Sequence, residues 1–199
     1  MRIATLLLIL ALLLGGCLGE PPVEERWTNL EFLEVPDFGA TSFGVGDSVS
    51  VQVRSRVTFR DQFVGFVVGE LRVSQTLSAD SLFLDHTRDA IVASENVDRL
   101  LTQSSPVARG TKGLAGFPQL RRTLDMHFEA TVPGFVDGRF DPPGGTPRGL
   151  FLVLYMGEGE EVEQEDGSDS LVVRPFLTHE DQILAKAIAL PFGDGLPQP

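Results

Sequence analysis

The chain has 199 residues, a formal net charge of −12, 42% apolar and 22% charged residues, 13 prolines, 21 glycines and one cysteine. At about 150 residues per domain this is one domain with appendages, large enough for a real core and too polar to cross a membrane several times. The acidic balance argues against a nucleic-acid partner, because phosphate binding needs clustered Lys and Arg to release counterions.

Met1-Arg2 forms a short positive start, residues 3–14 are an almost unbroken apolar run, and Gly15-Gly16-Cys17 follows at once. Twelve apolar residues are too few to span about 30 Å of hydrocarbon, so the run reads as a signal peptide over 1–16. The tetrad Leu14-Gly15-Gly16-Cys17 resembles the lipobox of bacterial lipoproteins. That resemblance implies that Cys17 is lipidated, that the chain is cleaved before it, and that the membrane is reached through the anchor. Leu18 is not the Asp that commonly retains such proteins at an inner membrane, so in a cell with two membranes the resemblance favours the outer one. Cys17 is the only thiol, and no internal disulfide can form. Residues 17–26 then read as a lipidated Cys with a Pro and Glu tether, whose nine residues after the cysteine reach about 28 Å in polyproline geometry. The folded body is expected over 27–199.

Within the body, Gly46-Asp47 signals a turn, and 48–59 alternates strictly: Val49, Val51, Val53, Val57 and Phe59 on one face, Ser50, Gln52, Arg54, Arg56 and Thr58 on the other. Residues 63–74 alternate Val67, Gly69, Leu71 and Val73 with Val68, Glu70 and Arg72. With 60–62 as a turn, the two segments read as neighbouring, half-buried antiparallel strands. The spacing of Ala90, Ala93, Val97 and Leu100 after Asp85 predicts an amphipathic helix over 86–102. Residues 123–132 alternate again, 150–156 are apolar at every position as in a strand covered on both faces, and 171–176 and 183–190 are further strand candidates. The stretches 104–122, 133–149 and 157–170 read as long loops, where a functional site would be sought.

These elements predict a mainly β chain, an antiparallel two-layer sandwich with one short helix and long loops. Gly46-Asp47-Ser48-Val49-Ser50-Val51 resembles the opening strand of bacterial immunoglobulin-like domains, which implies that architecture for the body.

Four groups of residues invite a chemical reading. Glu158, Glu160, Glu161, Glu163, Glu165, Asp166 and Asp169 put seven carboxylates into twelve residues. They would suit a hard cation or a basic partner, although no Asp-x-Asp-x-Asp-Gly start is present and a solvated, self-repelling hairpin is the plainer account. Arg109, Lys112, Arg121 and Arg122 form a basic patch that would meet a polyanion, a lipid headgroup or another chain's acidic loop, against simple charge balance. Asp125, His127 and Glu129 share one strand face as a weak metal site would require, yet a solvated strand face is much the plainer account, and no metal is assigned. Finally, Asp85-His86 and His179-Glu180-Asp181 set carboxylates beside imidazoles, but neighbours along a strand face opposite ways. The sequence has no nucleophile elbow, phosphate loop or zincin helix, and no motif asks for a cofactor. The expectation is therefore a non-enzymatic, lipid-anchored binding or assembly module of the cell envelope, possessing the membrane and another envelope protein as partners. A carrier or chaperone holding an apolar ligand between its sheets is the alternative.

Overall fold

A computed structural model of the chain describes residues 27–34, 38, 41–59, 63–82, 91–116, 120–136, 144–163, 169–175 and 185–193. In chain order its strands are β1 (Trp27–Glu34), β2 (Ser48–Phe59), β3 (Phe63–Ser74), β4 (Ser105–Gly116), β5 (Arg121–Thr131), β6 (Gly149–Glu163), β7 (Asp169–Pro175) and β8 (Ala185–Leu190). A six-residue helix, α1 (Val97–Thr102), precedes β4. Two antiparallel sheets result: a three-stranded one in the order β1-β2-β5, and a five-stranded one in the order β4-β3-β6-β7 with β8 also on β6.

The alternation in β2 and β5 sets the first sheet. Val49, Val51, Val53 and Val57 are at most 1% exposed, while Ser50, Gln52 and Arg54 face outward. β5 pairs with β2 along eleven residues, from Ser48 opposite Thr131 to Thr58 opposite Arg121, so its Met126 and Phe128 fall on the same inner face. Between the sheets these side chains meet Val67, Leu71, Leu152, Leu154 and Ile188 in one core. Val51, Val53, Leu71, Phe128 and Leu152 are all buried, as strand periodicity requires. Glycine lets the sheets close: a side chain at Gly69 would collide with the Phe128 ring, and one at Gly116 with the Phe59 ring. Gly110 likewise leaves only 3.3 Å between its Cβ position and both Met126 Cε and Phe128 Cε1.

Four expectations are corrected. β2 and β3 are not partners: β2 pairs with β1 and β5, β3 with β4 and β6, so the chain crosses from one sheet to the other between them. Nor is β3 half buried, since Val68, Glu70 and Arg72 on its second face are as enclosed as Val67 and Leu71 on its first. Leu77, Leu82, Val92, Val97 and Leu100 cover that face, forming a second core with Val68, Phe151, Val153 and Tyr155. The two-layer sandwich therefore carries a third, partial layer. The helix predicted over 86–102 is only α1 with a preceding 3₁₀ turn, Ser94–Asn96. Ile91 instead bridges to Ile188, and the Val92 amide donates to the Ala187 carbonyl at 2.9 Å. Residues 83–90 lie outside the described residues. Finally, most of the stretches 104–122 and 157–170 are not loops but β4, the beginning of β5, the end of β6 and the start of β7.

The ring of Phe128 seated on glycine predicts coupled energetics. Phe128→Ala is expected to cost about 3–5 kcal/mol and Gly69→Val about 1–3 kcal/mol. The double variant should cost less than their sum, because the ring that the valine strikes is gone. Urea unfolding of the three variants measures this, and strict additivity would refute the contact.

Candidate functional site

The densest polar arrangement among the described residues is buried on the second face of the five-stranded sheet, where β3, β4, β6 and the end of α1 converge. Glu70 and Arg72 stand two apart on β3 and point the same way, each at most 4% exposed. The Arg72 guanidinium is held on all sides. Its Nε donates to Ser104 Oγ at 2.7 Å, one terminal nitrogen donates to the Glu70 carboxylate, and the other donates to the carbonyls of Leu101 (3.0 Å) and Ser104. Ser74, next on the same face, donates through its hydroxyl to the Gln103 carbonyl. Arg72 and Ser74 thus satisfy carbonyls that the end of α1 would otherwise leave unpaired, and they pin the third layer to the sheet.

Glu70 is shared. Its other oxygen accepts from the Tyr155 hydroxyl at 3.1 Å and lies 3.4 Å from Arg109 Nε, while Arg109 donates to the Tyr155 oxygen at 3.1 Å. Arg109 is 43% exposed at its side chain, so the network runs from a dry end at Arg72 to a wet end at Arg109. Burial first, and the Glu70 charge second, push the Tyr155 hydroxyl up to about 12, with Arg109 pulling the other way. A phenol so protonated is a hydrogen-bond donor and no nucleophile at neutral pH. The arrangement orients its members and braces the third layer against the sheet. Sequence reading placed Glu70 and Arg72 on a solvated face and missed the network. The signal present was Val68 on that same face, two residues before Glu70.

The basic patch is not one patch. Arg109 belongs to the network, in register with Glu70. Lys112 and Arg122 stand opposite Val67 and Val57, which face the inter-sheet core, yet both are exposed because they sit on terminal strands. Arg121, opposite Thr58, is exposed as well.

The supposed acidic loop is a two-stranded ribbon. Beyond Gly157, β6 leaves β3 and continues with β7 alone, from Glu158 opposite Arg174 to Glu163 opposite Asp169. A side chain at Gly157 would strike the Arg174 carbonyl, so glycine is required where the strand departs. Glu158, Glu160, Glu161, Glu163 and Asp169 are strand residues, while Glu165 and Asp166 lie outside the described residues.

On the outer face of the three-stranded sheet, Asp125 pairs at 3.4 Å with Arg54, its register partner on β2. His127 Nε2 lies 2.9 Å from Ser50 Oγ and 3.5 Å from Glu129 Oε1. A catalytic relay needs nucleophile and carboxylate on opposite ring nitrogens, whereas both approach one here. Among the described residues no group of three or more His, Cys, Asp or Glu is placed to hold a metal ion. Cys17, His86 and His179 lie outside the described residues.

Two measurements probe the network. Arg72→Met is expected to destabilise by about 3–5 kcal/mol, since it removes the buried partner of one Glu70 oxygen and the donors to the Leu101 and Ser104 carbonyls, and adding Glu70→Gln should recover part of that loss. Tyr155 is the only tyrosine, so the phenolate absorbance band reports it alone. Because its folded value exceeds the ordinary 10, the stability that protonation contributes is intact below pH 10 and is lost as pH climbs towards about 12. Tyr155→Phe should lack that decline, and titration of the native protein near pH 10 would count against the buried hydroxyl.

No protein family and no curated protein matches this chain.

Proposed function

We propose that this chain is a lipid-anchored, non-catalytic binding or assembly module of the bacterial cell envelope. Cys17 carries the lipid, the following Pro and Glu segment is the spacer, and the sandwich is the part that meets a partner. The observation that carries this reading is the lipobox-like Leu14-Gly15-Gly16-Cys17 closing an apolar run, ten residues ahead of the first strand at Trp27. Two acyl chains or more would hold the protein firmly, each buried methylene adding about 0.8 kcal/mol. Leu18 favours the outer of two membranes.

The strand order supports an immunoglobulin-like body. β1, β2 and β5 face β3, β6 and β8, as the A, B, E and C, F, G strands of such a domain do, with β4 lying beside β3 and β7 pairing with the end of β6 beyond the inter-sheet core. Such sandwiches serve as presentation scaffolds whose chemistry resides in surfaces and loops. Support for a binding module over an apolar carrier comes from the Phe128 and Phe59 rings, which are pressed onto Gly69 and Gly116 across the gap where a ligand would lie. Support for a non-catalytic role comes from the buried network, in which Arg72 holds the end of α1 to the sheet and Glu70 is taken up by Arg72, Arg109 and Tyr155.

Replacing Cys17 with Ser is expected to leave an unprocessed precursor that takes up no labelled palmitate in growing bacteria. Equal incorporation of label into the variant would overturn the anchor.

A further inference from the structure

The two lateral sides of the sandwich are finished differently. On one side β1 and β8 are in contact, and Phe43 bridges to Phe192: the Phe43 amide donates to the Pro191 carbonyl at 3.0 Å and the Gly193 amide to the Phe43 carbonyl at 2.9 Å. On the other side β4 ends the five-stranded sheet and β5 ends the three-stranded one, the two strands lying against each other. Among the described residues no strand pairs with the far side of β4. A row of free N–H and C=O groups on a terminal strand is a template for a further strand. Pro106 and the register shift beside Leu71 and Arg72 blunt the first residues of that edge. From Val107 to Gly116 it carries no proline, and Gly110, Gly113, Ala115 and Gly116 leave its backbone thinly covered.

Charge decides what such an edge will accept. Arg54, Arg56, Arg72 and Arg109 each pair with a carboxylate. Among the described residues Lys112, Arg121 and Arg122 have no carboxylate within 4 Å, although the chain carries a net charge of −12. Lys112 stands in β4 itself, in a core-facing register, and an added strand would take water from it. An unpaired cation enclosed in that way is costly, so an apolar strand is refused. A second copy docking its own β4 would set like charges side by side and is refused too. A strand bearing carboxylates meets the cations and satisfies them.

We propose that the free edge of β4 docks an extended, acidic segment of another protein, added to the five-stranded sheet as its next strand. Lys112 contacts the added strand directly, and Arg122 and Arg121 on the adjacent β5 edge draw in its carboxylates. This deepens the binding-module reading, on which it rests, by naming the surface and the chemistry of the partner.

The test uses the full chain in detergent and a short synthetic peptide alternating Glu with Val, with a Lys and Val peptide as control. The Glu peptide is expected to bind more weakly as salt rises and to slow hydrogen exchange at the amides of β4. The Lys peptide should not bind. Lys112→Glu, Arg121→Glu and Arg122→Glu together should weaken the Glu peptide by at least about tenfold, with the circular dichroism spectrum unchanged. The neutral pair Lys112→Gln and Arg122→Gln should weaken it less, and it keeps the comparison readable if the triple variant does not fold. Equal binding to the charge-reversed variant, protection away from β4, or a Glu peptide that fails to bind would each overturn the proposal. So would binding of the same edge to phosphatidylglycerol vesicles in place of the peptide, or salt-sensitive self-association through it. Acylation of Cys17 is read separately by palmitate labelling, so the edge and the anchor can fail independently.

Discussion

Enclosure of β3 and β6 on both faces is the constraint from which the rest of the structure follows. A sheet packed on one side can leave its polar residues to water. Once the segments 75–82 and 91–104 lie over the second face, every charged group there must be answered from within. Glu70 and Arg72 answer each other, and the remaining donors of Arg72 reach the Leu101 and Ser104 carbonyls. The ion pair therefore does more than neutralise itself: it specifies where α1 ends and how the third layer sits. Apolar residues at 70 and 72 would bury more readily, but they would leave those carbonyls unmatched.

What the sequence made legible depended on how many faces a strand must satisfy. In β2 and β5 one face is wet and one dry, so alternation alone assigned Val51 and Phe128 to the core and Ser50 and His127 to the surface. In β6 both faces are dry, and an unbroken apolar run over 150–156 says so. β3 belongs with β6 yet reads like β2, because its second face is closed by Glu70 and Arg72 pairing with each other, and sequence cannot distinguish a buried ion pair from a solvated one. The same locality misassigned partners. Residues 60–62 look like a hairpin turn, whereas the choice between pairing with β2 and crossing to the other sheet is made by β5 and β6, far along the chain. For the helix, Val97 and Leu100 were placed rightly, but Ile91 and Val92 obey the demands of β8. Of the candidate site groups, the spacing of Arg109, Lys112, Arg121 and Arg122 suggested one patch; strand register divides it.

β4 was invisible for a reason that also explains its surface. Its glycines argue against a strand on propensity, since glycine offers no side chain to pack and loses much backbone freedom. They are there because the facing sheet needs the room: Gly110 lies beneath Met126 and Phe128, and Gly116 beneath Phe59. The core under β4 is thus filled largely by Phe59, Met126 and Phe128 from the other sheet, with Leu114 as the buried side chain of β4 itself. A strand built in this way is drawn close to β5 but keeps little bulk with which to screen its outer edge. Charge is then the means left for controlling what pairs with it, and the two cations held in core-facing register, Lys112 on β4 and Arg122 on β5, stand where that control is exercised. The packing that closes the inter-sheet core and the accessibility of the β4 edge are two consequences of the same glycines.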